Sequence, residues 1–278
     1  MNQTIPSHQT WHSQTKKVSL PTGITMYYME AGDPSAEPLL LIHGFTDSSR
    51  IWRETMLSLQ DRYHMFAVDL RGFGQTDKPD QFIYTPVQHS EDLTAFLDAV
   101  NVDSCFVMGH SMGSLIAQTL AFCVPERVKK LILASTLVRG HTTGDEMQGI
   151  YEHFENMDFS RMTDQEMQEE FLPHPENCAD PDFPAAYLST LRGVPGKSLR
   201  AAMFSMNQTD NRYFVQFIHA PVLILWGTSD EILTADYQAE VRAAFPLARY
   251  QELVGISHEI PTEIPKQLSE IADRFFCE

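Results

Sequence analysis

One stretch, Val107-Met108-Gly109-His110-Ser111-Met112-Gly113, constrains the fold of this chain more than any other. The apolar run Cys105 to Met108 predicts a strand, and Ser114 to Phe122 predicts a helix. Between them a serine stands two residues from a glycine on either side. A strand that turns this sharply into a helix holds its apex residue in strained backbone geometry and projects that side chain outward. Gly109 and Gly113 suit the flanks because a Cβ there would collide with the neighbouring strand and helix. Ser111 is therefore a candidate nucleophile on a nucleophile elbow.

The chain around the elbow repeats the same alternation. Lys16 to Leu20 and Ile24 to Glu30 predict a hairpin about Pro21-Thr22-Gly23. Leu39 to Ile42 and Met65 to Val68 are continuous apolar runs of the buried-strand type. Asp69 and Arg71 follow the second run and are expected to brace its loop as an ion pair rather than to act chemically. Thr85 predicts a helix N-cap, with Pro86 in the first turn and Gln88 completing a capping box. Leu93, Phe96, Leu97 and Val100 then recur at helical spacing. Val128 to Ser135 and Val222 to Leu225 predict further strands, and Arg249 to Leu253 a last one between helices at 235–245 and 265–276. Strands alternating with helices imply an α/β fold, with a mostly parallel central sheet flanked by helices on both faces.

The alternation breaks between Val138 and Ala220, a segment without long β-type runs and rich in Met and aromatic residues. We read residues 138–219 as an inserted helical cap, polar outside and apolar beneath. Residues 16–137 and 220–278 then form the core. Residues 1–15 are expected to be a loosely attached tail, in which His8 and His12 stand in solvent.

The formal net charge of −17 argues against nucleic acid or an anionic membrane surface as partner. Residues 1–14 carry no apolar signal-peptide core, and no run approaches the length of a membrane span. Cys105, Cys123, Cys178 and Cys277 are scattered, as suits reduced thiols in a cytoplasmic protein. No His/Cys/carboxylate cluster points to a metal and no glycine-rich loop to a nucleotide, so no cofactor is expected. Nothing in the sequence chooses between a monomer and a homodimer.

A serine hydroxyl becomes a useful nucleophile when a base takes its proton and an acid orients that base. The run Val222 to Leu225 opens into Trp226-Gly227-Thr228-Ser229-Asp230-Glu231, which sets Asp230 in a loop at the carboxyl end of a strand, where open α/β sheets bind ligands. Glu231 is its neighbour and competitor. His258 lies in the loop after the last strand, ahead of His43, His110 and His219 as candidate base.

With these residues in the order Ser, Asp, His, the chain from about residue 16 to its end resembles the α/β-hydrolase family. The resemblance rests on the elbow Gly109-His110-Ser111-Met112-Gly113, the turn His43-Gly44-Phe45, the acid Asp230 and the base His258. It implies Ser111, Asp230 and His258 as catalytic residues, with the backbone N–H groups of Phe45 and Met112 forming an oxyanion hole. The insertion resembles the helical caps of enol-lactone hydrolases, meta-cleavage-product hydrolases and small-molecule esterases. From it Met147, Tyr151, Phe154, Tyr187, Leu191 and Met203 are candidate substrate contacts, joined by His43 and Ile232 from the core. The expected reaction is hydrolysis of a carboxylic ester or lactone of an apolar small molecule through an acyl-enzyme. Carbon–carbon hydrolysis, other acyl chemistry and a slow-hydrolysing small-molecule receptor stay open.

Overall fold

The computed structural model describes residues 5–80, 84–140, 149, 152–154, 157–159, 161–172 and 174–278. Eight strands form one sheet: β1 (Lys16–Ser19), β2 (Thr25–Ala31), β3 (Glu37–Ile42), β4 (Tyr63–Val68), β5 (Cys105–His110), β6 (Val128–Ala134), β7 (Val222–Gly227) and β8 (Arg249–Leu253). Their order is β1-β2-β4-β3-β5-β6-β7-β8. β1 and β2 pair antiparallel, as do β2 and β4, and every other pair is parallel. All residues of β5 and all but the first two of β3 are buried, as strands covered on both faces must be.

Covering helices include α1 (Trp11–Gln14), α2 (Arg53–Leu59), α3 (Pro86–Ala99) and α4 (Met112–Cys123). Thr85 caps α3 by accepting the Gln88 N–H, and Leu93, Phe96 and Leu97 bury its inner face. Among the described residues, helices between β6 and β7 include α5 (Asp164–Phe171), α6 (Phe183–Leu191) and α7 (Gly196–Asn207). Thr163 and Glu166 cap α5 reciprocally. The ends of this insertion meet where Arg139 bridges Asp210 and the Asn211 N–H bonds the Val138 carbonyl at 2.7 Å. After β7 come α8 (Ala235–Ala244), α9 (Ile260–Glu263) and α10 (Pro265–Cys277). Among the described residues no helix is long and apolar enough to cross a membrane.

Two expectations fail here. The described part of the first fifteen residues is not a loose tail. Trp11 is fully buried, with its indole N–H on Ser49 Oγ at 3.0 Å, and Arg53 Nε holds the Pro6 carbonyl at 2.7 Å. A large aromatic buried this completely outweighs the polar residues around it. Nor do Asp69 and Arg71 pair. Arg71 makes a two-pronged bond to Asp92 on α3, at 2.7 and 2.6 Å. Asp69 instead accepts the backbone N–H groups of Ser49 and Gln75, both at 2.8 Å. Both residues brace loops, as expected, but each through a partner remote in sequence.

Candidate active site

Ser111 sits between β5 and α4 at φ 50°, ψ −119°, a conformation L-residues adopt rarely. The turn closes because its flanks lack side chains. A Cβ on Gly109 would stand 2.5 Å from the Gly113 carbonyl oxygen, and one on Gly113 would strike the carbonyl oxygens of Ile42 and His43. The Ser111 carbonyl takes the Ser114 hydroxyl at 2.6 Å. Ser114 in turn meets Thr136 at 2.7 Å, Gln118 donates to Thr136 at 2.9 Å, and Asn211 donates to Gln118 at 2.9 Å. This buried chain ties the elbow to the base of the insertion.

The structure brings the three remote residues together. His258 Nδ1 lies 2.8 Å from Asp230 Oδ2, and its Nε2 lies 3.0 Å from Ser111 Oγ. An ionised carboxylate only accepts, so Nδ1 carries the proton and Nε2 accepts the Ser111 hydroxyl. The other Asp230 oxygen accepts the N–H groups of Ile232 at 2.9 Å and Leu233 at 2.7 Å. Burial pushes the Asp230 pKa up, but the His258 bond and these two amides outweigh it and hold the carboxyl below its usual range. For His258 burial acts downward, and the Asp230 bond and the charges of Asp230 and Glu259 reverse it, leaving the pKa above 6.5.

The turn after β3 closes on Ser111. A Cβ on Gly44 would lie 3.2 Å from Ser111 Cβ. Among the described residues, neither the Phe45 nor the Met112 N–H enters a backbone hydrogen bond outside the regular elements. The Met112 N–H is the first of α4, a position that has no partner within its own helix.

The eight expected substrate contacts divide. Phe154 packs edge-on against Phe45 with ring centroids 5.6 Å apart, and the Tyr187 hydroxyl lies 2.8 Å from Thr46 Oγ1, so both reach the turn beside Ser111. Leu191 is wholly buried and Met203 half-buried against the core. Met147 and Tyr151 lie outside the described residues. One expectation is corrected. His43 spends both nitrogens on the backbone, Nδ1 donating to the Gly44 carbonyl at 2.7 Å and Nε2 accepting the Leu70 N–H at 3.0 Å. Its burial lowers its pKa to about 4, so it is a neutral brace under the turn rather than a substrate contact. Ile232 exposes 62% of its surface and contributes its backbone N–H to Asp230.

Ser135 was not foreseen at the site, and His110 was expected there only as a part of the elbow and a weaker candidate base. Both donate to the His258 carbonyl, Ser135 Oγ at 2.7 Å and His110 Nε2 at 2.9 Å. The sequence signal for Ser135 was its place at the end of an apolar strand, and for His110 its place in the elbow beside Ser111. A groove of about 720 Å³ opens elsewhere, lined by residues including Val87, Thr119 and Phe204, and none of Ser111, Asp230 or His258 borders it.

The family model for the alpha/beta hydrolase fold matches residues 37–263. An uncharacterized hydrolase of Bacillus subtilis, YugF, is 26% identical over 259 residues, spanning 90% of this chain and 94% of its own. The enol-lactonase of Burkholderia xenovorans LB400 superposes with a TM-score of 0.82 at 19% identity, over 95% of this chain and 100% of that one. Esterase RhEst1 of Rhodococcus sp. ECU1013 gives a TM-score of 0.79 at 21% identity, over 95% and 99%. These last two likenesses are of fold. With the matched span running from β3 past His258, the chain belongs to the α/β-hydrolase family.

Proposed function

We propose that this protein is a serine hydrolase that cleaves a carboxylic ester or lactone of an apolar small molecule through an acyl-enzyme. The observation that carries the reading is the His258 ring, bonded to Asp230 on one side and Ser111 on the other. As Ser111 Oγ attacks the substrate carbonyl carbon, its proton passes to His258 Nε2. The N–H groups of Phe45 and Met112 receive the developing oxyanion, and one such donor is worth about 3 kcal/mol to the transition state. His258 returns the proton to the leaving alkoxide, which in a lactone stays attached to the acyl group. Water then gives a proton to His258 and attacks the acyl carbon, and His258 passes that proton to Ser111 Oγ as the bond to the acyl carbon breaks and the acid leaves.

An ester or lactone is supported by the esterase and enol-lactonase folds this chain resembles, and an apolar one by the Phe45–Phe154 contact beside the oxyanion turn. In this reading the insertion at 138–219 is the cap that selects the substrate. The test is turnover of p-nitrophenyl esters and aliphatic lactones of graded acyl size. Wild type should turn over and Ser111→Ala should lose at least about 10³-fold in kcat/KM. Full activity in Ser111→Ala would remove Ser111 from the mechanism. Tight binding with one turnover in minutes would make the protein a receptor.

A further inference from the structure

A catalytic histidine has to hold its ring between two partners, and the ring can be no better placed than its own backbone. His258 stands in a loop that starts at the 86% exposed Val254, turns at Gly255 with φ 78°, and is tied on either side of that turn by the Gly255 N–H on Thr228 Oγ1 and the Ser257 N–H on the Glu263 carboxylate, both at 2.9 Å. The loop is gripped at the His258 carbonyl. That oxygen accepts the Ser135 hydroxyl at 2.7 Å, His110 Nε2 at 2.9 Å and the Ile260 N–H at 3.0 Å. Ser135 is wholly buried and His110 is 1% exposed, so both side chains are committed to the interior.

Neither is placed there cheaply. Ser135 holds φ 47° just past the end of β6, a region that costs an L-residue about 1–2 kcal/mol. Its backbone N–H still bonds the Leu225 carbonyl at 2.9 Å, so the turn re-aims the side chain while keeping contact with β7. His110 ends β5, next to Ser111. Its Nδ1 is buried without a partner, so the bond to His258 is the one hydrogen bond its ring makes among the described residues. Because Nε2 faces a carbonyl, it carries the ring's proton. The ends of β5 and β6 thus reach under the loop that follows β8 and pull on one oxygen.

We propose that Ser135 and His110 are positioning residues for His258, clamping its carbonyl so that Nε2 stays in line with Ser111 Oγ. The inference rests on the hydrolase reading only for its effect on rate; the clamp itself has a readout without substrate. A misplacement of about 1 Å at a reacting group costs about 100-fold in rate.

The experiment measures the second-order rate of Ser111 labelling by a fluorophosphonate across pH, with Ser111→Ala as blank. It also follows the ¹H NMR signal of His258 Nδ1–H. Ser135→Ala and His110→Phe should each slow labelling about 10-fold, and the pair together about 100-fold. His110→Gln, whose amide N–H reaches toward the same oxygen, should recover to within about 3-fold of wild type. In the double variant the acid limb should move to lower pH and the Nδ1–H signal should broaden, because a loosened Asp230 bond no longer holds the proton on His258. Ser135→Gly removes the hydroxyl and relieves the backbone, so it should melt no lower than Ser135→Ala yet label as slowly, which separates positioning from stability. Labelling within twofold of wild type in the double variant, with an unmoved acid limb, overturns the proposal. If wild-type Ser111 never labels, the hydrolase reading fails. The Nδ1–H signal then decides alone: broadening in the double variant upholds the clamp, and an unchanged signal rejects it.

Discussion

Backbone strain among the described residues gathers around one hydroxyl. Four non-glycine residues have positive φ, and three of them, Thr46, Ser111 and Ser135, lie in the turn after β3, at the elbow apex and under His258. Strain of this kind persists where the surrounding structure over-determines it. Replacing Ser111 by glycine should therefore give a more stable protein than replacing it by alanine, by about 1 kcal/mol, since only glycine accepts φ 50° freely. Urea unfolding of the two variants measures the difference. In the proposed mechanism the pH dependence belongs to His258. It must be neutral to take a proton, and Asp230 holds its pKa above 6.5 against burial, so kcat/KM should fall as pH drops through a value above 6.5. In Asp230→Asn burial is opposed only by the Glu259 charge, and the acid limb should move to lower pH with a rate loss of about 10⁴-fold. The same raised pKa means that the charged pair stabilises the fold below pH 6.5, a contribution lost as pH rises through the folded value. Asp230 and His258 could be picked out in the sequence because each lies in a loop after a strand. The bonds of Ser135 and His110 to the His258 carbonyl could not, because a donor to a carbonyl more than a hundred residues away has no local pattern.

At the level of elements, chemistry hangs on how loops are tied to helices. Arg71, in the loop after β4, and Asp92 on α3 form a pair whose side chains are 4% and 0% exposed. Removing one partner of a buried pair strands a charge, so Asp92→Ala should cost about 3–5 kcal/mol. Arg71→Met with Asp92→Leu should recover most of that loss, because two apolar groups leave no orphan behind. Denaturant midpoints of the two variants and the wild type provide the check. The strands were legible as apolar runs, and α3 as a capped periodic segment, because both signals are local. The pairing of Arg71 with Asp92 rather than Asp69 was not, because it depends on how the loop folds back over α3. His43 is similar: its residue type suggested a ligand contact, and only the fold shows both its nitrogens spent on backbone.

For the whole molecule, the described N-terminal segment acts as a strap across the core and the insertion. Trp11 bonds Ser49, His8 packs edge-on against Phe183 with centroids 5.5 Å apart, and His12 Nε2 lies 3.3 Å from Thr190 Oγ1. Trp11→Ala should accordingly destabilise the protein by about 3–5 kcal/mol, whereas a residue in a loose tail would change stability by less than about 0.5 kcal/mol. Thermal and urea unfolding of the full-length variant tells the two apart. By itself the sequence determined the alternating α/β architecture, the elbow at Ser111 and the order Ser, Asp, His, since hydrophobic period and turn chemistry act over a few residues. Only the tertiary structure decided that Trp11 is buried, that His43 is a brace and that the His258 carbonyl is held from two strand ends. Those contacts join residues dozens to more than a hundred positions apart, and their energies exist only once the sheet has brought the segments together.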